Sequence, residues 1–160
     1  MRIVYPLFLM VAFTSCNSAD SVENNSISKE FNFKDENYKA FPELGSMGNS
    51  VVENNTVQNG GIYRLKLFIE NHKALYNSDS VKPIFKFHEG GSISSSRLYD
   101  SDKVVAGIQD TAFIKFVAND ENLKKGEVTK KKWHGLIIIP RPGEKDAVFA
   151  VEREYLIQQK

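Results

Sequence analysis

Alternation of apolar and polar residues with a period of two is the feature that most limits how this chain can fold. In residues 62–69, IYRLKLFI, one set of alternate positions carries Tyr, Leu, Leu and Ile, and the other set includes Arg and Lys. Such alternation predicts a half-buried β-strand. Apolar residues over 62–76 also recur at helical spacing, so a helix stays open as an alternative. The strand is favoured because the runs that follow have the same character.

The rest of the chain consists of further short apolar runs separated by turn residues. Phe85 and Phe87 in IFKFH are predicted to face a core, SISSSRLY is interpreted as a weaker strand, and DTAFIKFVA is apolar at both sets of alternate positions. The strands WHGLIII and AVFAVEREYLI flank PRPGEKD, whose Pro and Gly suit a hairpin loop. Six or seven strands in about 100 residues predict a mainly β fold, a single immunoglobulin-like antiparallel β-sandwich over residues 59–160.

The first 15 residues differ in composition from everything that follows. Arg2 supplies a positive charge, and residues 3–13 are almost entirely apolar, but this run is too short to cross a ~30 Å hydrocarbon core as a helix. These features predict a signal peptide over residues 1–15. The chain has a single cysteine, Cys16, which directly follows the small residues Thr14 and Ser15 and can form no internal disulfide.

The stretch Phe13-Thr14-Ser15-Cys16 resembles the lipobox of bacterial lipoproteins, although Phe13 stands where Leu is usual. In that family a peptidase cuts before the cysteine, and the cysteine sulfur then carries a diacylglycerol. The resemblance implies that Cys16 is lipidated and becomes the first residue of an exported protein. The expected location is a membrane of the cell envelope, most simply the outer membrane.

Residues 16–58 are rich in Asn, Ser, Glu and Asp and show no sustained apolar period. Such a sequence cannot bury enough apolar surface to offset the entropy of ordering, which predicts a flexible polar tether after Cys16. Phe31 and Phe33 belong to an aromatic group within it. They either pack on the domain or form a docking motif for a partner.

The chain offers few candidates for catalysis or metal binding. The three histidines are His72, His88 and His134, whose spacing forms no local metal-ligand motif. The run GGSISSS of residues 90–96 lacks both the later Gly-Lys of a P-loop and the Gly-x-Ser-x-Gly of a serine hydrolase. No catalytic residue, cofactor or metal is therefore predicted.

A lysine cluster beside the only tryptophan is the candidate contact surface. Lys130, Lys131, Lys132 and Trp133 could meet an anionic lipid, a glycan or an acidic partner, and the lysines would also protect a strand edge. The formal net charge of the whole chain is only +1, which argues against a nucleic-acid partner.

The C-terminal stretch KKKWHGLIIIPRPGEKDAVFAVEREYLI also resembles the closing hairpin of the β domains in GldM-type proteins of gliding motility and type IX secretion. The residues that correspond loosely to the pattern of that hairpin are Gly135, Pro142, Gly143, Phe149, Glu154 and Tyr155. The transmembrane helix and the tandem domains of those proteins have no counterpart in the pattern of this sequence.

Two functional hypotheses follow from these patterns. The first is a lipid-anchored envelope protein whose non-catalytic β-sandwich binds another envelope protein or a surface ligand. The second is a small envelope hydrolase acting on glycan or peptide, which requires a pocket with convergent carboxylates or a Ser/His pair.

Overall fold

The computed structural model describes residues 45–71, residue 75 and residues 81–160. The predictions made for the signal peptide, for Cys16 and for Phe31 and Phe33 lie outside the described residues, as does His72. Among the residues the structure describes, no helix is long and apolar enough to cross a membrane.

The described residues form two β-sheets and one short helix. Sheet A has the strand order β1-β3-β7-β6, built from β1 (Met47–Val52), β3 (Gly61–Glu70), β6 (Gly107–Ile108) and β7 (Thr111–Ala118). Sheet B has the order β2-β9-β8-β4-β5, built from β2 (Thr56–Gln58), β4 (Ile84–Glu89), β5 (Val104–Val105), β8 (Val128–Ile139) and β9 (Ala147–Gln158). The helix α1 spans Ser95–Asp100. The mainly β fold that the alternation predicts is confirmed.

One buried core joins the two sheets. From sheet A it takes the inward residues of β3 and β7, and from sheet B those of β4, β8 and β9. Its members are Tyr63, Leu65, Leu67, Ile69, Phe85, Ala112, Ile114, Ala118, Trp133, Ile137, Ile139, Tyr155 and Ile157. The strand predicted for residues 62–69 is thus confirmed as β3. Tyr63, Leu65, Leu67 and Ile69 are buried in the core, and the alternate positions, which include Arg64 and Lys66, point away from it.

The hairpin of β8 and β9 is the largest single pairing in sheet B. Its twelve antiparallel residue pairs run from Val128 opposite Gln158 to Ile139 opposite Ala147, and the loop 140–146 connects the strands as predicted. Alternation along β9 buries Tyr155 and exposes Glu152. β8 begins five residues before Trp133, so the lysine cluster lies within the strand and not ahead of it.

The segment SISSSRLY is a helix and not the strand that its weak alternation predicted. The Ser94 side chain caps α1 by accepting a hydrogen bond from the backbone N–H of Arg97 at 3.3 Å. Leu98 is the buried residue of the helix, and the ammonium of Lys86 donates to the carbonyl oxygens of Tyr99 and Ser101 at its C-terminal end. Serine favours such N-caps because its hydroxyl satisfies an otherwise unpaired backbone donor.

The boundary between tether and domain, predicted between residues 58 and 59, lies too far toward the C-terminus. β1 pairs antiparallel with β3, and β2 pairs with β9, so residues 47–58 belong to the sheets. Val52 and Val57 pack against the core, which explains how such a polar stretch becomes ordered. The β2–β9 pairing is parallel, so the arrangement is not wholly antiparallel as predicted.

Candidate functional site

The face of sheet B that points away from the core carries a ladder of opposite charges. The Lys130 ammonium lies 3.1 Å from a carboxylate oxygen of Glu154, and the Lys132 ammonium lies 3.1 Å from one of Glu152. We call these four residues the charge ladder. All four side chains are at least 38% exposed, so each ion pair contributes only about 0–1 kcal/mol to stability. The ladder holds as many carboxylates as ammonium groups, so it presents alternating charge and no cationic patch.

Lys131 points to the opposite face from its two neighbours, as the alternation of a strand requires. Its ammonium lies 2.6 Å from the carboxylate of Asp120, and this contact lowers the pKa of Asp120. The three consecutive lysines are therefore divided between two surfaces. Only Lys130 and Lys132 belong to the outer face.

Trp133 is fully buried in the core and is absent from the surface that the charge ladder forms. It shares a face with Lys131, and its ring centroid lies 5.7 Å from that of Phe87. Because no part of its side chain reaches solvent, we leave Trp133 out of the proposed contact surface.

The first half of β8 forms an open edge of sheet B among the described strands. β4 ends with Glu89 opposite Trp133, so among the described strands Val128–Lys131 pair with β9 alone. The carbonyl of Lys132 accepts from Gly90 on the β4 side, and alternation turns the backbone groups of Lys130 and Val128 toward that same side. Val128 is 57% exposed. This edge and the charge ladder form one continuous surface, which the sequence indicated only through its lysines.

Of the two histidines that the structure describes, His134 is the one with a carboxylate neighbour, and it lies next to the charge ladder on β8. Its Nδ1 lies 3.3 Å from a Glu152 oxygen, and its Nε2 lies 3.3 Å from the backbone oxygen of Gly91. Both ring nitrogens therefore face hydrogen-bond acceptors. The contacts tie the Gly90-Gly91 turn to β8 and β9.

A small cleft beside His134 is also lined by Ser95. Its volume is about 100 Å³, and its lining includes His134, Glu152, Ser95 and Leu98. Sites for small molecules usually enclose about 300–1,000 Å³. In this arrangement a backbone carbonyl faces Nε2, whereas a serine hydrolase would place its nucleophilic hydroxyl there.

His88 is the cross-strand neighbour of His134 on β4. Burial lowers the pKa of His88, and the positive charges of Lys103 and His134 lower it further. The Lys103 nitrogen lies 2.6 Å from Nδ1 of His88. Across the described part of the chain, no group of three or more His, Cys, Asp or Glu residues could hold a metal ion.

A wider cleft of about 370 Å³ lies at the start of β8. Its lining includes the carboxylates of Asp120 and Glu127. Asp120 is held by Lys131, and Glu127 accepts a hydrogen bond from the backbone N–H of Lys124 at 2.9 Å. Both carboxylates thus make contacts within the protein, and the two are not arranged as an acid/base pair.

The outer face of sheet A presents apolar side chains to solvent. Ile62 and Val117 lie opposite each other on β3 and β7, and they are 46% and 60% exposed. In the sequence, this apolar face was indicated by the stretch DTAFIKFVA, in which both sets of alternate positions are largely apolar. That pattern predicted a strand covered on both faces.

Comparisons with known proteins provide no relative for this chain. No protein-family model matches it, and no curated protein or solved structure matches it. What the described residues define is a mainly β protein of two sheets around a common core, with an open strand edge beside a ladder of paired charges.

Proposed function

We propose that this chain is a lipid-anchored protein of the bacterial cell envelope whose β domain binds another envelope protein and catalyses no reaction. The anchor is Cys16, with residues 1–15 as its signal peptide and the outer membrane as its location. Two or three acyl chains hold a protein to a bilayer far more firmly than one chain does, at ~0.8 kcal/mol per buried CH₂. In this proposal the two sheets act as an immunoglobulin-like sandwich that presents a binding edge.

The observation that carries the binding role is the open edge of β8. Val128 and Lys130 turn backbone donors and acceptors toward the side where β4 has ended. An extended segment of a partner can add to such an edge, with main-chain hydrogen bonds giving affinity and side chains giving specificity. Lysines at the edge discourage indiscriminate pairing, and the paired charges of the ladder favour a partner strand that carries both acidic and basic side chains.

Site-specific photo-crosslinking tests the binding role. A photoreactive residue at Val128 should form a defined adduct in intact envelopes. The same residue at Val148, an exposed position on the outer face of the same sheet, should not. Lys130→Glu together with Lys132→Glu should weaken the Val128 adduct at least tenfold. Equal adducts from both positions, or no adduct at Val128, would remove the support for a binding edge.

The anchor has an independent test. Cys16→Ala should release the protein from membranes or block its processing, and the lipid-dependent mass of the mature chain should disappear. Unchanged membrane retention and unchanged mass would refute lipidation, whatever the crosslinking shows.

A small hydrolase acting on glycan or peptide is the second candidate. The observation in its favour is His134 beside Glu152 in a cleft that Ser95 also lines. If the enzyme hypothesis holds, His134→Gln and Ser95→Ala should each abolish hydrolysis of a peptide or glycan substrate while the fold persists. If the binding role holds, both variants leave crosslinking at Val128 unchanged.

A further inference from the structure

The open edge of β8 has a sequence that is complementary to itself in the antiparallel direction. From Glu127 onward the chain runs Glu-Val-Thr-Lys-Lys. When this stretch lies antiparallel to the same stretch of a second copy, with a two-fold axis through Thr129, each Glu127 stands opposite a Lys131. Val128 stands opposite Lys130, and the two Thr129 residues face each other. Opposite charges and threonine pairs in such cross-strand positions both stabilise a sheet.

The backbone of this stretch has hydrogen-bonding groups in the positions that the pairing needs. The carbonyl oxygen of Glu127 accepts from the N–H of Gln159 at 3.0 Å, so the pairing with β9 extends to this residue. Successive residues of a strand direct their backbone groups to opposite sides. Val128 and Lys130 therefore direct theirs to the open side. In the register described, they form four main-chain hydrogen bonds with the second copy.

The gap along β8 has the length of the self-complementary stretch. At one end β4 stops at Glu89, and Gly90 still donates to the carbonyl oxygen of Lys132 at 3.0 Å. At the other end Gly126 has a φ angle of 82°, which turns the chain just before the stretch begins. A second copy that pairs through residues 127–131 therefore starts at its own turn and ends before it meets β4.

The charged side chains at the ends of the pairing have capacity for a further partner. The Lys131 ammonium lies 2.6 Å from the Asp120 carboxylate, and its three N–H donors allow it to bind a second carboxylate as well. Glu127 is exposed and accepts from the backbone N–H of Lys124 through Oε2, and a carboxylate accepts through both of its oxygens. The cleft of about 370 Å³ beside this edge is lined by Asp120, Glu127 and Thr129. A lysine of the second copy thus enters a cleft that already holds two carboxylates.

The neighbouring antiparallel register is unfavourable. A two-fold axis through Lys130 sets the two Lys130 side chains directly opposite each other, and like charges in that position destabilise a sheet. With the axis at Thr129, Lys130 instead lies opposite Val128, which is 57% exposed. The lysine stem can cover this apolar side chain while its ammonium stays with Glu154.

We propose that the open edge of β8 pairs with the same edge of a second copy of this chain, in an antiparallel two-fold dimer centred on Thr129. The two copies of sheet B join along β8. This inference rests on the binding edge of the proposed function and names its occupant when no other envelope protein is bound. Self-pairing covers an edge that would otherwise recruit unrelated strands, and a partner gains the edge only by displacing the second copy.

Thr129→Cys tests the position of the two-fold axis. In the purified full chain carrying Cys16→Ala, the introduced cysteine is the only one. The two Cα atoms at position 129 should stand about 4.5 Å apart, within reach of a disulfide. Lys130→Cys is the matched control, because its two Cα atoms should stand about 7–8 Å apart, beyond that reach. Mild oxidation should link Thr129→Cys at least tenfold faster, and an equal or faster rate for Lys130→Cys overturns the proposal.

Charge reversal tests the partner without depending on a single variant. Glu127→Lys and Lys131→Glu each place like charges opposite one another, so each should weaken self-association at least tenfold in sedimentation equilibrium. An equal mixture of the two variants should form heterodimers, because every lysine of one copy then lies opposite a glutamate of the other. Heterodimers in the mixture also show that both variants are folded. Glu121→Lys, a reversal at an exposed loop position outside the stretch, should leave self-association unchanged.

The outcomes separate this dimer from the proposed function. With a photoreactive residue at Val128 in intact envelopes, an adduct with the mass of two chains supports the second copy. A purified chain that stays monomeric up to about 1 mM overturns the dimer, as does a mixture without heterodimers. The binding edge would then still be supported by a Val128 adduct with a different protein. A dimer of the purified chain without any such adduct in envelopes supports the second copy and removes the envelope partner.

Discussion

Tyr63 and Tyr155 pack against each other across the two sheets, with ring centroids 4.6 Å apart and ring planes inclined by 40°. Tyr63 lies on β3 of sheet A and Tyr155 on β9 of sheet B, and both side chains are buried. Phe116 extends the contact, since its centroid lies 5.2 Å from Tyr63 and 5.7 Å from Tyr155. Aromatic pairs of this kind contribute about 0.5–1.5 kcal/mol beyond the area they bury.

The hydroxyl of Tyr63 should contribute little to stability compared with its ring. Among the described residues no partner meets hydrogen-bond geometry with it, although the nearby Trp133 indole partly offsets the burial that raises its pKa. The free energy of unfolding of Tyr63→Phe should therefore lie within about 1 kcal/mol of that of the unmodified protein, because no well-formed hydrogen bond is lost. Tyr63→Ala should lose about 3–5 kcal/mol, since it leaves a cavity between the sheets. Urea denaturation of both variants measures the difference, and a large loss for Tyr63→Phe would show that the hydroxyl is bonded.

Stability should fall at alkaline pH because of Tyr155. Burial raises its pKa to about 12, and the charges of Glu89 and Tyr63 add to the effect. The ordinary pKa of tyrosine is about 10, so the fold favours the neutral phenol. This contribution is fully present below about pH 10 and is lost as the pH rises through about 12.

Denaturation midpoints measured across that interval check the Tyr155 prediction. Tyr155→Phe should show a shallower loss of stability than the unmodified chain, because it lacks the Tyr155 phenol and is otherwise identical. Absorbance of the phenolate in the folded protein should place one tyrosine near pH 12. Identical pH profiles for the two proteins would contradict the assignment.

A residue larger than glycine at position 135 should destabilise the fold, because Gly135 lies against the core residue Leu67. A Cβ added at Gly135 would stand 2.8 Å from Cδ2 of Leu67 and 3.3 Å from Cδ1. Gly135→Ala should therefore cost about 1–3 kcal/mol through overpacking. In that background Leu67→Ala should cost about 1 kcal/mol less than it does alone, since it removes the clashing methyl groups.

The matched control for the Gly135 cycle is Leu65→Ala. Leu65 lies on the same strand and is equally buried, but its atoms are not among the nearest to the added Cβ. Its cost should add to that of Gly135→Ala without coupling. Equal coupling for both leucines would indicate a general change of the core and not a local contact.

The fold should depend on residues that the composition assigned to a tether. Deleting residues 45–58 removes β1 and β2 together with the core contacts of Val52 and Val57. The deleted chain should lose its cooperative thermal transition. Deleting residues 17–30 should shift the melting temperature by no more than about 2 °C, because all the strands that the structure describes stay intact. Calorimetry compares the two, and a cooperative transition without residues 45–58 would exclude β1 and β2 from the stable unit.

Period-two alternation was sufficient to place the main strands and their faces. β3, the hairpin of β8 and β9, and the inward direction of Phe85 follow from local sequence, because a strand with one buried face must alternate. One segment could not be placed this way. Residues 47–58 are too polar to predict a sheet, and they join the sheets because β3 and β9 offer edges to pair with and because Val52 and Val57 pack against the core.

The short helix shows a different limit. Residues 95–100 alternate weakly, and the cap that Ser94 forms with Arg97 is a local signal that alternation alone overlooks. Its position over sheet B depends on the burial of Leu98, which only the folded chain provides. The weak alternation that favoured a strand was therefore too short to outweigh the local capping signal that favours a helix.

The sequence by itself determined a mainly β domain, the registry of inward and outward side chains, and the lone Cys16 after an apolar run. Only the tertiary structure decided that Trp133 is core, that β8 begins early enough to include the three lysines, and that β8 has an open edge. The physical reason is that alternation assigns each side chain to one of two faces, whereas burial depends on what packs against each face. That information lies in residues far away along the chain.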